Sequence, residues 1–308
     1  MSTLYTQQDR NVRRTWFLMA MFLAIIVAIG WFISYYYDNP AILVIAVVFS
    51  VAMNVVSYWY SDKISLSLAH AVPADKAQYP ELFQVVENLS ITAGLPMPKL
   101  YIIPDSAPNA FATGRDKEHA AVAVTEGLLS MMDKNELSGV LAHELSHIGN
   151  RDTLLQTVVV VLVGFIAILA NIFTRSMWFG GIGGRRRGGN GQSGEGGGNL
   201  GAILAVVGII FVILSPVIAQ LIQLAISRKR EFLADADGAL LTRYPEGLAS
   251  ALEKIQSYGA PMTTANNATA HMYISNPFGA HASKGIAKLF MTHPPTEERI
   301  AILRGMKE

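Results

Sequence analysis

His143-Glu144-Leu145-Ser146-His147 decides how the rest of this chain is read, because it lies in a segment whose apolar residues keep a helical period. Leu137, Val140, Leu141, Leu145 and Ile148 form the stripe, Asp133 stands where an N-cap belongs, and Glu136 follows in the capping-box position. Gly149-Asn150 then supplies a stop signal. On such a helix residues four apart share a face, so His143 and His147 can reach one metal ion while Glu144 stands beside them as a general base for water. With 7 histidines in 308 residues, chance rarely sets two at this spacing around a glutamate. A pair of surface or core histidines is the competing reading, and the helix signal beneath the box weighs against it.

Working outward, composition points to a membrane. Hydrophobic residues make up 51% of the chain and charged residues 15%, and four stretches, 16–37, 40–61, 153–174 and 200–227, contain no Asp, Glu, Lys or Arg. Each can cross roughly 30 Å of hydrocarbon as a helix, which takes about 20 residues. The first two carry interfacial aromatics at their ends, including Trp16, Trp31, Tyr35, Tyr36, Tyr58 and Trp59. The last two contain Gln156, Asn171, Pro216, Gln220 and Gln223, so they are expected to pack on protein or line a cavity. The first stretch is too long for a signal-peptide core and runs into Tyr37-Asp38 rather than a small-residue cleavage site, so it is expected to be retained.

The expected fold class is a mainly α membrane protein with four transmembrane helices and a split catalytic domain carrying a small β-sheet. Residues 1–61 form an arm and a membrane hairpin, 62–152 the first half of the domain with the box helix, 153–227 a second hairpin, and 228–308 the second half. Lys and Arg mark orientation: Arg10, Arg13 and Arg14 precede the first span, Lys63 follows the second, Arg151 precedes the third, and Arg228, Lys229 and Arg230 follow the fourth. The catalytic residues are therefore expected on the cytoplasmic side. One connection disagrees. Residues 175–199 hold eleven glycines with Arg175, Arg185, Arg186 and Arg187, so either a flexible loop is translocated despite its arginines or the second hairpin does not fully cross.

The formal charge of +1 gives no whole-chain nucleic-acid signal, and the absence of cysteine excludes disulfides, thiol nucleophiles and thiolate ligands. Histidine and carboxylate are left to bind metal. A catalytic zinc takes three protein ligands and keeps a position open for water, and the third is sought in Arg230-Glu231-Phe232-Leu233-Ala234-Asp235, expected to continue the fourth stretch as helix. Glu231 and Asp235 are four apart, so one can bind metal while the other accepts the free ring N–H of a liganding imidazole; a juxtamembrane charged patch is the bland alternative. Both ligand segments lie within a few residues of apolar stretches, which places the metal close to the membrane surface.

Four ordered motifs now carry a family resemblance: Pro108-Asn109-Ala110-Phe111-Ala112-Thr113-Gly114, the box with Ala142 before it, the Arg230–Asp235 segment, and Thr292-His293-Pro294-Pro295-Thr296-Glu297-Glu298-Arg299. Together they resemble the HtpX-type bacterial membrane zinc peptidases and, more distantly, the type I CAAX prenyl proteases, whose larger number of spans argues against that branch. The resemblance covers nearly the whole chain. It implies a gluzincin-like peptidase domain with one Zn2+ per chain, held by His143, His147 and Glu231, and with Asp235 behind an imidazole. It also implies a multi-pass protein of the bacterial inner membrane that hydrolyses misfolded or damaged membrane proteins. Glu144 is the general base, and an oxyanion or substrate contact is implied for His293, although Pro294-Pro295 and the N-cap position of Thr296 allow a purely conformational role.

Short strand patterns at Leu100-Tyr101-Ile102-Ile103, at Ala110-Phe111-Ala112-Thr113 and over residues 120–124 offer a surface for an extended peptide. The resemblance assigns substrate pairing to Asn109, Ala110, Phe111 and Ala112, against the alternative of an ordinary hairpin. His70, His119, His271 and His281 lack a ligand-spaced partner and read as solvated or structural. A non-proteolytic membrane scaffold and a transporter are the other functional classes; intact Glu144 weighs against the first, and the lack of intramembrane charge against the second.

Overall fold

A computed structural model describes residues 4–162, 164–165, 228–279 and 294–306. His293, the glycine-rich connection, the fourth apolar stretch and residues 163 and 166–174 of the third lie outside the described residues.

Two long helices, α1 (Leu4–Tyr36) and α2 (Pro40–Trp59), form an antiparallel hairpin. The turn between them follows from local chemistry: Asp38 takes a positive φ, the Asn39 side chain accepts from the Ala41 N–H, and Pro40 opens α2 without needing a donor. Gly30 permits the close crossing, because a Cβ there would lie 2.2 Å from that of Ala46. α2 has the inside-out pattern of a helix solvated by hydrocarbon. It buries Ser50 and Ser57 and exposes Val44, Ile45, Val48, Val51 and Val55. Gln8–Tyr36 and Pro40–Trp59 are both long and apolar enough to cross a membrane.

After α3 (Ser61–Leu68) comes a four-stranded sheet of β1 (Val72–Pro73), β2 (Lys99–Ile103), β3 (Ala110–Thr113) and β4 (Ala121–Thr125), in the order β1-β2-β4-β3. β4 runs parallel to β2 and antiparallel to β3, with Val122 opposite both Leu100 and Ala112. Side chains alternate across it. Leu100, Ile102, Ala112, Val122 and Val124 face a helical layer that includes α4 (Pro80–Ala93) and α6 (Lys134–Gly149), the latter following the short α5 (Glu126–Met131). Ile103, Phe111, Ala121 and Ala123 face Leu18 of α1, Leu66 of α3 and Leu155 and Val159 of α7 (Asp152–Leu162). A sheet covered on both faces accounts for β3 and β4 being wholly apolar or small and buried. The described part of the third apolar stretch is thus packed on protein.

α8 (Arg228–Thr242) and α9 (Pro245–Tyr258) pack on α6, and α10 (Thr296–Gly305) packs on α9 and α8. The sequence after residue 227 therefore closes over the box helix.

Candidate active site

The box helix is held at both ends. At its start the Asp133 carboxylate accepts from the Asn135 and Glu136 N–H groups at 2.8 and 2.9 Å, and Glu136 accepts from the Asp133 N–H at 2.9 Å, the reciprocal pair expected from the sequence. Glu136 also accepts from Lys254 of α9 at 2.6 Å. The stripe from Leu137 to Ile148 is buried. Gly238 sets the distance to α8: a Cβ at this position would come within 3.0 Å of the His143 backbone nitrogen, so the bare backbone lets α8 approach closely enough to present Glu231 and Asp235.

Nε2 of His143 and Nε2 of His147 face one another at 3.2 Å. Glu231 completes the group, its carboxylate oxygens 3.9 Å from the first and 3.6 Å from the second. One ligand atom from each residue lies within 4.8 Å of the other two, and all three residues are buried. Each imidazole turns its other nitrogen to a carboxylate. Nδ1 of His143 is 2.9 Å from Asp235, and Nδ1 of His147 is 3.0 Å from Asp152. Donation of the Nδ1–H to these acceptors leaves the Nε2 lone pairs pointing into the shared space, the tautomer a metal ligand requires.

Charge makes the same point. Glu144, Asp152, Glu231 and Asp235 are buried carboxylates, and Arg230 and Arg299 are the buried guanidiniums among them. With both imidazoles neutral the carboxylates outnumber the guanidiniums by two, a surplus that a divalent cation matches and that, without one, a proton on His147 offsets in part. The residues present fit a divalent metal with an N, N, O donor set. Burial pushes the Glu144 carboxyl up to about 7, the His147 charge opposing and Glu231 reinforcing the rise. Burial alone would lower His147, but its hydrogen bond to Asp152 and the charges of Glu231, Asp152 and Glu144 hold it at about 9. His143 goes the other way, to about 4, with burial outweighing Asp235. Glu144 accepts the Ala112 N–H, while its Oε1 is buried without a hydrogen-bond partner, an acceptor left available beside the two histidines.

Of Asn109, Ala110, Phe111 and Ala112, only Ala112 is tied directly to this site; the other three make their contacts along the strand edge and on its far face. β3 is the edge strand of the sheet, and Ala112 links it to Glu144. The edge is already occupied at Ala110, whose carbonyl accepts from Ile274 N–H at 2.9 Å. The Asn109 amide donates to the Ser275 carbonyl at 2.9 Å and accepts from the Ala110 N–H at 3.1 Å. Phe111 points to the opposite face and meets Tyr273 edge-on, with ring centroids 5.1 Å apart. A cavity of about 430 Å³ opens beside this seam, lined among others by Pro108, Asn109, Asn276, Pro294 and Arg299.

Two residues to which sequence reading gave no role stand at the centre. Asp152, which enters the sequence reading only as the end of the 62–152 segment, holds His147. Arg299, the last residue of the Thr292–Arg299 motif, is fully buried; its Nε and Nη2 grip Asp235 at 2.8 and 2.6 Å and its Nη1 donates to the Ile274 carbonyl at 3.1 Å. A charged residue closing a motif was the available signal for Arg299. The short interval from His147 was the signal for Asp152.

A His-His-Glu cluster backed by carboxylates, with a glutamate beside it and apolar helices alongside, defines a membrane-bound metallopeptidase. Comparison with known proteins agrees: the profile of peptidase family M48 matches residues 76–307. Proteins called "Protease HtpX homolog" align along almost the full length. That of Caldanaerobacter subterraneus subsp. tengcongensis is 48% identical over 99% of this chain and 98% of its own. That of Pyrococcus furiosus is 47% identical over 94% of each. The chain belongs to peptidase family M48. Among solved structures, the crystal structure of S. mikatae Ste24p superposes with a TM-score of 0.45 and 19% identity; the match covers 93% of this chain and 62% of that one.

Proposed function

We propose that this protein is a zinc endopeptidase of the bacterial inner membrane that hydrolyses misfolded or damaged membrane proteins from the cytoplasmic side. The observation that carries the reading is the convergence of His143, His147 and Glu231 within 4.8 Å, with both imidazoles backed by carboxylates. His143, His147 and Glu231 would hold the ion, and bound zinc supplies a Lewis acid that lowers the pKa of water from 15.7 to roughly 7. Glu144 removes a proton from the attacking water at its open Oε1 and returns it to the leaving amine. Burial raises this carboxyl above the ordinary glutamate range, which favours both taking up and returning a proton near neutral pH. Asp235 and Asp152 fix the two imidazole rings, and Arg299 keeps Asp235 ionised.

An extended peptide would pair along β3 at Asn109–Ala112 and compete with Ile274 for the Ala110 carbonyl, so accommodation requires the segment around Ile274 to yield. Main-chain pairing confers little sequence preference. Selection then rests on whether a segment is unfolded and near the bilayer. His293 is proposed as a substrate contact. All four apolar stretches are proposed to span, which keeps residues 62–152 and 228–308 on one side.

Casein cleavage by the purified full chain, with and without a chelator and in Glu144→Gln, tests the reading. Hydrolysis that vanishes in the variant while zinc stays near one per chain is the expected result. Retained turnover would remove Glu144 from its role. Single cysteines at Ser130 and Ser257, both exposed, should resist an impermeant maleimide in intact cells; opposite accessibility of the two would exclude the proposed topology.

A further inference from the structure

The first turns of α1 run past the end of the box helix ahead of the charge-free stretch that begins at Trp16, and Asn11 is buried there. Its Nδ2 donates to Asp152 Oδ1 at 2.7 Å and to the Asn150 carbonyl at 3.1 Å, and its Oδ1 accepts from Arg230 Nη1 at 3.4 Å. The other oxygen of Asp152 meets Nδ1 of His147 at 3.0 Å. Arg230, the residue before Glu231, lies 3.5 Å from the same Asp152 oxygen that Asn11 holds. Partner chemistry fixes the amide's orientation: two acceptors face its nitrogen and a cation faces its oxygen, so a flipped amide would oppose all three.

We infer that Asn11 is a positioning residue of the metal site, clamping Asp152 so that Asp152 fixes the ring of His147, and that the first membrane helix is thereby a structural part of the active centre. This rests on the zinc-peptidase reading. An aspartate at position 11 would set a carboxylate against Asp152, and an alanine would leave one lone pair of a buried carboxylate without its donor. The arm touches the box helix elsewhere too, through Gln8 Nε2 to the Gly149 carbonyl at 2.7 Å, a contact that bypasses Asp152. Gln8 therefore separates docking of the arm from positioning of the ligand.

The experiment measures zinc affinity by chelator competition and the visible spectrum of the cobalt-substituted protein, using the full chain in detergent. Asn11→Ala is expected to weaken zinc about 3–10-fold, one step short of the roughly 10–100-fold cost of losing a direct partner of a ligand, and to shift the cobalt bands. Gln8→Ala should leave both at parental values. In an Asp152→Asn background, Asn11→Ala should cost little more, since both act through one contact. Asn11→Leu, close in volume, replaces the alanine variant if the cavity prevents folding and carries the same expectation. Parental affinity and spectrum in the Asn11 variant, an equal loss in Gln8→Ala, or full additivity with Asp152→Asn overturns the inference. A parent that binds no zinc overturns the peptidase reading itself, and the two failures are distinguishable.

Discussion

Arg299→Met should be among the most damaging single changes outside the proposed ligands. The side chain is fully buried, donates twice to Asp235 and once to the Ile274 carbonyl, and sets its Nη2 3.4 Å from Nδ1 of His143. Methionine fills much of the volume and restores none of these contacts. Asp235 is then a buried carboxylate with His143 as its remaining partner, and breaking one side of a buried ion pair costs about 3–5 kcal/mol. For a domain of this size that is a fall in Tm on the order of 10 °C. The burial of Asp235 on its own would raise its carboxyl, and Arg299 together with His143 instead holds it at about 2, below its usual 3.8. A depressed carboxylate contributes stability above its unfolded pKa and loses it as pH falls through the folded value, so the parent's contribution from this pair fades between about pH 4 and pH 2. The variant should lack that component already at pH 7. Thermal unfolding of the purified protein, followed by intrinsic fluorescence at pH 7, measures the loss. Arg299→Met combined with Asp235→Asn removes both charges and should recover part of the Tm, because the cost lies in the stranded charge. A Tm within 2 °C of the parent's for the single variant, or a double variant no better than the single, would refute the reasoning.

The proposed ligand set grades the remaining substitutions. Glu231→Ala should lose zinc outright, whereas Asp235→Ala and Asp152→Ala should each weaken it about 10–100-fold; equal affinity across all three by chelator competition would dissolve the distinction between ligand and support. Zinc affinity should also rise with pH. His147 holds its proton up to about 9, so the incoming metal must displace it; each unit below that value costs up to about tenfold in affinity, and each ion bound at pH 7 releases about one proton. Titration calorimetry in buffers of different ionisation enthalpy counts the released protons, and a count of zero contradicts the assignment.

What the sequence made legible is mostly what neighbouring residues decide among themselves. The capping box at Asp133 and Glu136, the apolar stripe of α6 and its stop at Gly149 all depend on contacts within one helix, and each is found as read. Strands β2 to β4 fall where the patterns of β-branched, aromatic and small residues set them. Their order does not follow from those patterns: β4 inserts between β2 and β3, a choice made by which face of the sheet each neighbouring helix covers. Residues whose meaning depends on distant partners were opaque. Asn11 meets Asp152 across 141 positions and Arg299 meets Asp235 across 64, and no spacing rule reaches that far. Glu231 was reachable because it shares a helix with Asp235 and the family pattern names it, even though its position beside His143 and His147 depends on Gly238.

Splitting the cluster between α6 and α8 bears on how the protein is made. Ribosomes deliver His143 and His147 well before Glu231, with the two apolar stretches 153–174 and 200–227 between them. Until α8 emerges, the histidine pair lacks its carboxylate and Asp235 cannot orient the ring of His143. With Glu231 as the proposed third ligand, the chain would hold no complete metal site while its earlier part is being made. On the proposed ligand set a complete site would form only once α8 has been made, so the order of synthesis itself sets when the site is assembled.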